Sequence, residues 1–193
     1  MRRLLDKADV LSYALKGLPI TASATNLLRD VIAPAVRQVR LLLDERGFSQ
    51  KNIHYTKEKF QRFPILWLDR NRFQQVMFNL LSNAIKYAYD DAEAFRVEIE
   101  GSEGAAQFLI RFRDWGRGIR PGTEELIFED GFRGDDAVDM DVAGQGLGLW
   151  VVRQVVQGHG GSIEVARVNL PTEFRITLPY SLTSWSPVQR LGE

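Results

Sequence analysis

The residues of this sequence best suited to chemistry lie in one stretch, Arg72 to Tyr89, RFQQVMFNLLSNAIKYAY. Successive residues of a helix turn by about 100°. That puts Asn79, Asn83, Lys86 and Tyr87, at i, i+4, i+7 and i+8, on one narrow stripe. Phe73, Met77, Leu80, Leu81, Ala84 and Ile85 fall on the other side. Two carboxamide oxygens beside an ammonium suit a metal ion that bridges phosphates, because a hard cation takes oxygen ligands and the lysine balances phosphate charge. The same stripe also fits the solvated face of an ordinary amphipathic helix, so the choice rests on the rest of the chain.

Such a helix needs a core to lie on. With 193 residues, 45% of them hydrophobic, the chain is long enough for one large domain with a short appendage. Lys+Arg and Asp+Glu are both 25, so the net charge is zero and the strongly basic footprint of a nucleic-acid binder is missing. The absence of cysteine removes disulfides, thiol catalysis and thiolate metal sites. Only His54 and His159 are present, which leaves no multi-histidine zinc site. No apolar run approaches ~18 residues, and the charged, periodic MRRLLDKADVL is unlike a signal peptide. A soluble, cytoplasmic domain is expected.

Periodicity then orders the elements. Leu4, Ala8, Leu11 and Leu15 form a short heptad-like seam, ended by Gly17, Leu18 and Pro19. ITASAT reads as a connector or short strand. Thr25 is expected to cap a second helix running to about Arg46, kinked or delayed by Pro34 and stopped by Gly47. Asn52–Thr56 and Pro64–Asp69 read as strands before the asparagine-bearing helix. Phe95–Glu100 and Gln107–Arg113 alternate as a hairpin around a turn at Gly101–Ala105. Asp135–Gln145 reads as a mobile loop, GLGLWVVRQVVQGHGG as a helix with a glycine-rich start, and Ile163–Val168 with Thr172–Pro179 as a closing pair of strands. Because strands come in adjacent pairs, the expected fold class is α/β: a two-layer sandwich, with a mixed, mainly antiparallel sheet and helices on one face.

Four stretches stand in a telling order: NLLSNAIKY; DWGRGI, Asp114 to Ile119; IFEDGF, Ile127 to Phe132; and GQGLGL, Gly144 to Leu149. Together, over roughly residues 25–180, they resemble the N, G1, F and G2 boxes of the ATP-binding catalytic domain of sensor histidine kinases, within the GHKL (Bergerat-fold) ATPase superfamily. NxxxNAxKY favours that branch over gyrase-type or chaperone ATPases, which usually carry a glutamate base where Asn79 stands. The resemblance implies ATP and Mg²⁺ as ligands. Asn83 is the implied metal ligand, Asn79 supports the metal or its water, Lys86 reaches a phosphate and Tyr87 packs near the nucleoside. Asp114 is implied to accept from the adenine amino group, a contact that guanine's carbonyl does not satisfy. Gly116 and Gly118, with Ile119 behind them, let backbone approach the base. Gly144, Gly146, Leu147 and Gly148 open a helix whose bare N–H groups suit phosphate. Phe128 and Phe132 resemble the aromatics that hinge the ATP lid, or are ordinary core residues. Arg133 is placed to touch the γ-phosphate, and the acidic loop between Phe132 and Gly144 corresponds to the lid, expected to be open without nucleotide.

Two departures stand out. The last glycine box reads PTEF, Pro171–Phe174, keeping Thr172 for the adenine pocket but replacing the glycine by proline. No phosphoaccepting histidine box is visible: His54 falls in an expected strand and His159 in the HGG turn after the G2 helix. The implied division is a helical remnant of an upstream dimerisation hairpin at 1–20, the kinase domain at 21–182 and a tail at 183–193. Implied partners are the phosphoacceptor dimerisation domain of a homodimeric parent and the receiver domain of a response regulator, with no nucleic acid. A catalytically silent ATP-binding regulatory module and an anti-sigma-type serine kinase are the alternatives.

Overall fold

The computed structural model describes residues 20–55, 58–60, 63–134 and 146–184. The Leu4–Leu15 seam, Gly144 with the rest of the acidic loop, and the tail beyond Ser184 lie outside the described residues.

The strands are β1 (Ser23–Thr25), β2 (Ile53–His54), β3 (Leu66–Leu68), β4 (Val97–Glu103), β5 (Gln107–Asp114), β6 (Ser162–Arg167) and β7 (Thr172–Pro179). The helices are α1 (Ala33–Gln38), α2 (Arg40–Glu45), α3 (Arg70–Lys86) and α4 (Gly148–Gly158). Five strands form one sheet in the order β2-β4-β5-β7-β6, with β2 parallel to β4 and the other pairs antiparallel. A separate antiparallel pair joins β1 to β3. The helices pack on one face of the sheet, so the expected two-layer α/β sandwich is the fold observed.

Strand alternation builds the shared core. Val97 and Ile99 of β4, Phe108, Ile110 and Phe112 of β5, and Phe174, Ile176 and Leu178 of β7 are buried. They meet Phe73, Val76, Met77, Leu80, Leu81, Ala84 and Ile85 of α3 and the valines of α4. Each such side chain contributes on the order of 1.5–3 kcal/mol by leaving water, which is why the stripe opposite them on α3 is fixed in direction.

Several local expectations are corrected. Thr25 is not a helix cap: it belongs to β1, and its hydroxyl donates to Ser23 O at 2.8 Å. Asn26 caps instead, its Oδ1 accepting from Arg29 N at 2.9 Å. The single kinked helix is three pieces: a π-helical turn Leu27–Ile32, α1 with Pro34 in its first turn, and α2 after a break at Val39. Proline is tolerated there because its missing N–H is one that a helix start leaves unbonded. Gly101 is not in a turn but in β4, under an aromatic cluster. A Cβ there would lie 2.6 Å from the Phe60 ring, so the residue is kept small by packing.

Asp69 and His159 join the two long helices. Asp69 caps α3, Oδ1 accepting from Arg72 N at 3.1 Å and Oδ2 from Thr21 N at 3.0 Å. His159, just past α4, donates from Nδ1 to Val155 O at 2.7 Å and accepts at Nε2 from Asp69 N at 3.0 Å. Its ring stands edge-on to Phe73 at 4.8 Å. His159 is therefore a structural histidine, and His54 is exposed on the edge strand β2.

Burial lowers the His159 pKa below its ordinary 6.5, against the pull of Val155 and Asp69. The neutral imidazole's contribution to stability is thus complete above pH 6.5 and is lost as pH falls through that value toward the folded one. His159→Leu, which leaves the Asp69 N–H without its acceptor, should cost ~1–3 kcal/mol in urea denaturation near pH 8. The gap to wild type should narrow below pH 6.5; a gap independent of pH would contradict this role.

Candidate functional site

Asp114 ends β5 on the inward parity, two residues beyond Phe112, and is 8% exposed. Its cross-strand partner on β7 is Thr172. Gly116 N–H donates to Oδ1 at 3.0 Å. Burial is the dominant influence on the carboxyl and pushes its pKa up to about 6; the Gly116 N–H and the nearby Thr172 hydroxyl pull the other way. Thr172 Oγ1 itself is buried without a partner of hydrogen-bonding geometry among the described residues. An acceptor and an unsatisfied hydroxyl, side by side at the end of two strands, are what a small polar ligand would complete.

The loop after Asp114 runs between two walls. Arg117 N donates to Tyr87 O at 3.0 Å, and Ile119 N to Val168 O at 2.7 Å. A Cβ on Gly116 would stand 2.8 Å from Tyr87 O, and one on Gly118, whose φ is +83°, 2.7 Å from Val168 O. Both glycines are thus required by contact with backbone carbonyls of this chain. Trp115 lies under the Arg96 guanidinium at 4.5 Å, and Arg117 beside Tyr89 at 5.4 Å.

The stripe of α3 faces this loop at one end and α4 at the other. Asn79, Asn83, Lys86 and Tyr87 are half-buried. Asn79 Nδ2 donates to Gly148 O at 3.1 Å, tying the stripe to the first residue of α4. Tyr87 N donates to Asn83 O at 2.9 Å and closes the helix. Burial raises the Tyr87 phenol's pKa, and the positive charge of Arg133 partly offsets it, which brings the exposed Arg133 into the neighbourhood of the stripe. Leu147 precedes α4 and its side chain makes no cap bond to the first turn. Gly146, with φ +71°, rests on the backbone of Gly131 and Phe132, where a Cβ would come within 2.7 Å.

Phe128 is a core residue. It is 1% exposed and sits edge-on to Phe174 at 6.3 Å. Arg153 of α4 lies 4.2 Å over its ring and pairs with Glu125 at 2.6 Å. Phe132 is half-buried beside Gly146.

The structure therefore brings together Asn79 with Gly148, Tyr87 with Gly116 and Arg117, and Asp114 with Gly116 and Thr172, around the ends of α3, β5, β7 and α4. It matches, over residues 68–182, the family described as histidine kinase-, DNA gyrase B- and HSP90-like ATPase. The chain belongs to this ATPase family. It is 36% identical over 188 residues to the sensor histidine kinase AtsR of Burkholderia thailandensis, covering 94% of this chain and 31% of that protein. It is 31% identical over 158 residues to the autoinducer 2 sensor kinase/phosphatase LuxQ of Vibrio cholerae, covering 80% of this chain and 18% of that protein. Full-length ShkA in complex with AMPPNP superposes with a TM-score of 0.69 at 22% identity, over 93% of this chain and 36% of ShkA, which shows the fold. The chain thus spans about a third or less of the curated relatives compared. No described helix of this ATPase-family chain is long and apolar enough to cross a membrane.

Sequence reasoning missed the wall at Val168, whose carbonyl fixes Ile119. It also missed the outer-face cluster of Arg113, which pairs with Glu173 at 2.7 Å, Glu100 at 3.3 Å and Glu98 at 3.5 Å. The alternation of β5, with Arg111 and Arg113 opposite in parity to Ile110 and Phe112, carried that signal.

The Asp114 carboxyl ionises near 3.8 in the unfolded chain and near 6 in the folded one, so its ionised form destabilises the nucleotide-free protein above pH 6 and not below pH 3.8. Asp114→Asn, which keeps an oxygen for Gly116 N–H, should raise stability near pH 7.5 by up to ~3 kcal/mol and leave it unchanged near pH 4. Urea denaturation at the two pH values measures the difference.

Proposed function

We propose that this chain is the ATP-binding catalytic domain of a two-component sensor histidine kinase, which binds Mg·ATP and donates its γ-phosphoryl group to a histidine outside the chain. The observation that carries the proposal is the buried, hydrogen-bonded Asp114 beside the unpartnered Thr172 hydroxyl, within one loop of the Asn79–Tyr87 stripe.

Asp114 accepts from the adenine amino group, and Thr172 contacts the base beside it. Arg117 N–H and the backbone of Tyr87 keep the 116–118 loop against the pocket. Asn79 and Asn83 offer neutral amide oxygens that would hold a magnesium ion, whose charge the phosphate oxygens would balance. Lys86 and Arg133 meet the outer phosphates, and the backbone N–H groups at Gly146, Leu147 and Gly148, at the start of α4, meet the inner ones. In phosphoryl transfer the protein's work is position and charge: these groups hold the terminal phosphorus exposed while the bond to ADP breaks and the bond to an imidazole nitrogen forms. His159 is not that imidazole, since both its ring nitrogens are engaged in the core. The acceptor belongs to the dimerisation domain of a homodimeric parent, and the receiver domain of a response regulator takes the phosphoryl group next.

The test has two arms. Calorimetry with a non-hydrolysable ATP analogue should show Mg²⁺-dependent binding that Asp114→Asn weakens roughly tenfold or more, the cost of one charge-assisted bond. Wild-type affinity should fall as pH drops through about 6 while the variant lacks that step, because the protonated carboxyl no longer carries the charge that strengthens the bond. Mixing the chain with a phosphoacceptor domain and labelled ATP should label the acceptor histidine. Binding without transfer to any such domain would support a silent regulatory module instead.

A further inference from the structure

We infer that Arg46 is a positioning residue for the nucleotide site: it locks the C-terminal turn of α3 and, through it, the loop that follows Asp114. The inference rests on the nucleotide reading above. Arg46 lies just past α2, outside the residues matched to the ATPase family and about forty positions before the stripe.

A helix leaves its last carbonyls unbonded, and those of α3 lie beside Lys86 and Tyr87. Arg46 takes them up with its guanidinium fork. Nη1 donates to Ile85 O at 3.3 Å and Lys86 O at 3.2 Å, and Nη2 to Ala88 O at 3.4 Å and Asp90 Oδ1 at 2.8 Å. Its positive charge also stands at the negative end of the helix dipole. The side chain is itself held: the guanidinium lies 5.1 Å from the Phe48 ring, and Phe48 stacks on Phe95 at 4.4 Å.

The clamped turn is the wall of the site. Tyr87 O accepts from Arg117 N at 3.0 Å and sits where a Gly116 Cβ would collide. Asp90 is shared, 2.8 Å from Arg46 and 3.9 Å from Arg117. One guanidinium thus fixes Lys86, placed against phosphate, Tyr87, placed near the nucleoside, and the loop placed against the base. A lysine keeps the charge and loses the fork, because an ammonium cannot span three carbonyls and a carboxylate in one plane.

Binding of the ATP analogue and amide hydrogen exchange are measured on wild type, Arg46→Met, Arg46→Lys and Leu182→Ala. Leu182 packs on the core away from these groups and serves as a comparison for general loss of stability. Arg46→Met should weaken binding roughly tenfold or more, since small misplacements of site groups are costly. Arg46→Lys should recover only part of this, and Leu182→Ala should bind as wild type does. Exchange of the Arg117 amide should accelerate in Arg46→Met while that of Phe112, in the core of β5, does not. Should Arg46→Met fail to fold, Arg46→Lys carries the test, and wild-type affinity in that variant overturns the inference. Wild-type binding alongside unchanged affinity or an unchanged Arg117 amide in Arg46→Met overturns it as well. Absence of binding by the wild-type chain overturns the nucleotide reading, and the inference falls with it.

Discussion

A carboxylate taken out of water, with no cation against it among the described residues, is the constraint on which this structure turns. Asp114 is buried, its Oδ1 accepts from the backbone N–H of Gly116, and burial raises its pKa. A group in that state is costly to keep, and the surrounding elements are arranged to keep it. β5 delivers it inward because side chains alternate along a strand. The pairing of β5 with β7 sets Thr172 opposite. The 116–118 loop returns a donor to it within two residues. An ion pair in the same place would satisfy the charge and leave nothing for a ligand to complete.

The outer face of the sheet holds the register that the inner face needs. Glu173 is nearly buried between Arg113 and Arg175, at 2.7 Å and 2.6 Å, and Arg113 also reaches Glu98 and Glu100 of β4. The arginines hold the Glu173 carboxyl below its ordinary range, in spite of burial. Isolated surface pairs contribute little, but this cluster ties three strands at the position just before Asp114 and just after Thr172. A one-residue slip of β7 would turn Thr172 outward, away from Asp114, and it would also tear the cluster apart. Inner-face chemistry and outer-face charge therefore specify the same register.

What the sequence disclosed follows the strength of each local signal. Strand alternation in Gln107–Asp114 and Thr172–Pro179, and the polar stripe with its buried opposite face on α3, are periodic and needed no tertiary knowledge. The helix start at Asn26 was misread by one residue because Thr25 is an equally good capping type; only the pairing of β1 with β3 decides between them. Gly101 read as a turn because glycine usually marks one, and the aromatic ring that demands it lies forty residues away in sequence. The same distance hid Arg46 and Val168. Arg46 donates to three backbone carbonyls and the Val168 carbonyl accepts from a backbone N–H, and backbone groups leave no trace in residue type.

That last point bears on the proline that stands where the family's glycine box has glycine. A glycine there would matter if Thr172 were placed by the freedom of the residue before it. Thr172 is instead the first residue of β7, in register with Asp114, and the strand continues in unbroken pairing to Pro179. The turn at 168–171 is fixed separately, by Val168 O accepting from Ile119 N. Pro171 is buried between these two fixed points. Its restricted φ and missing N–H are tolerated at the margin of a sheet, where no ladder bond is lost. The position of the threonine is thus a property of the sheet and not of the box. The substitution leaves the Thr172 hydroxyl beside the Asp114 carboxyl, in the register that the sheet dictates.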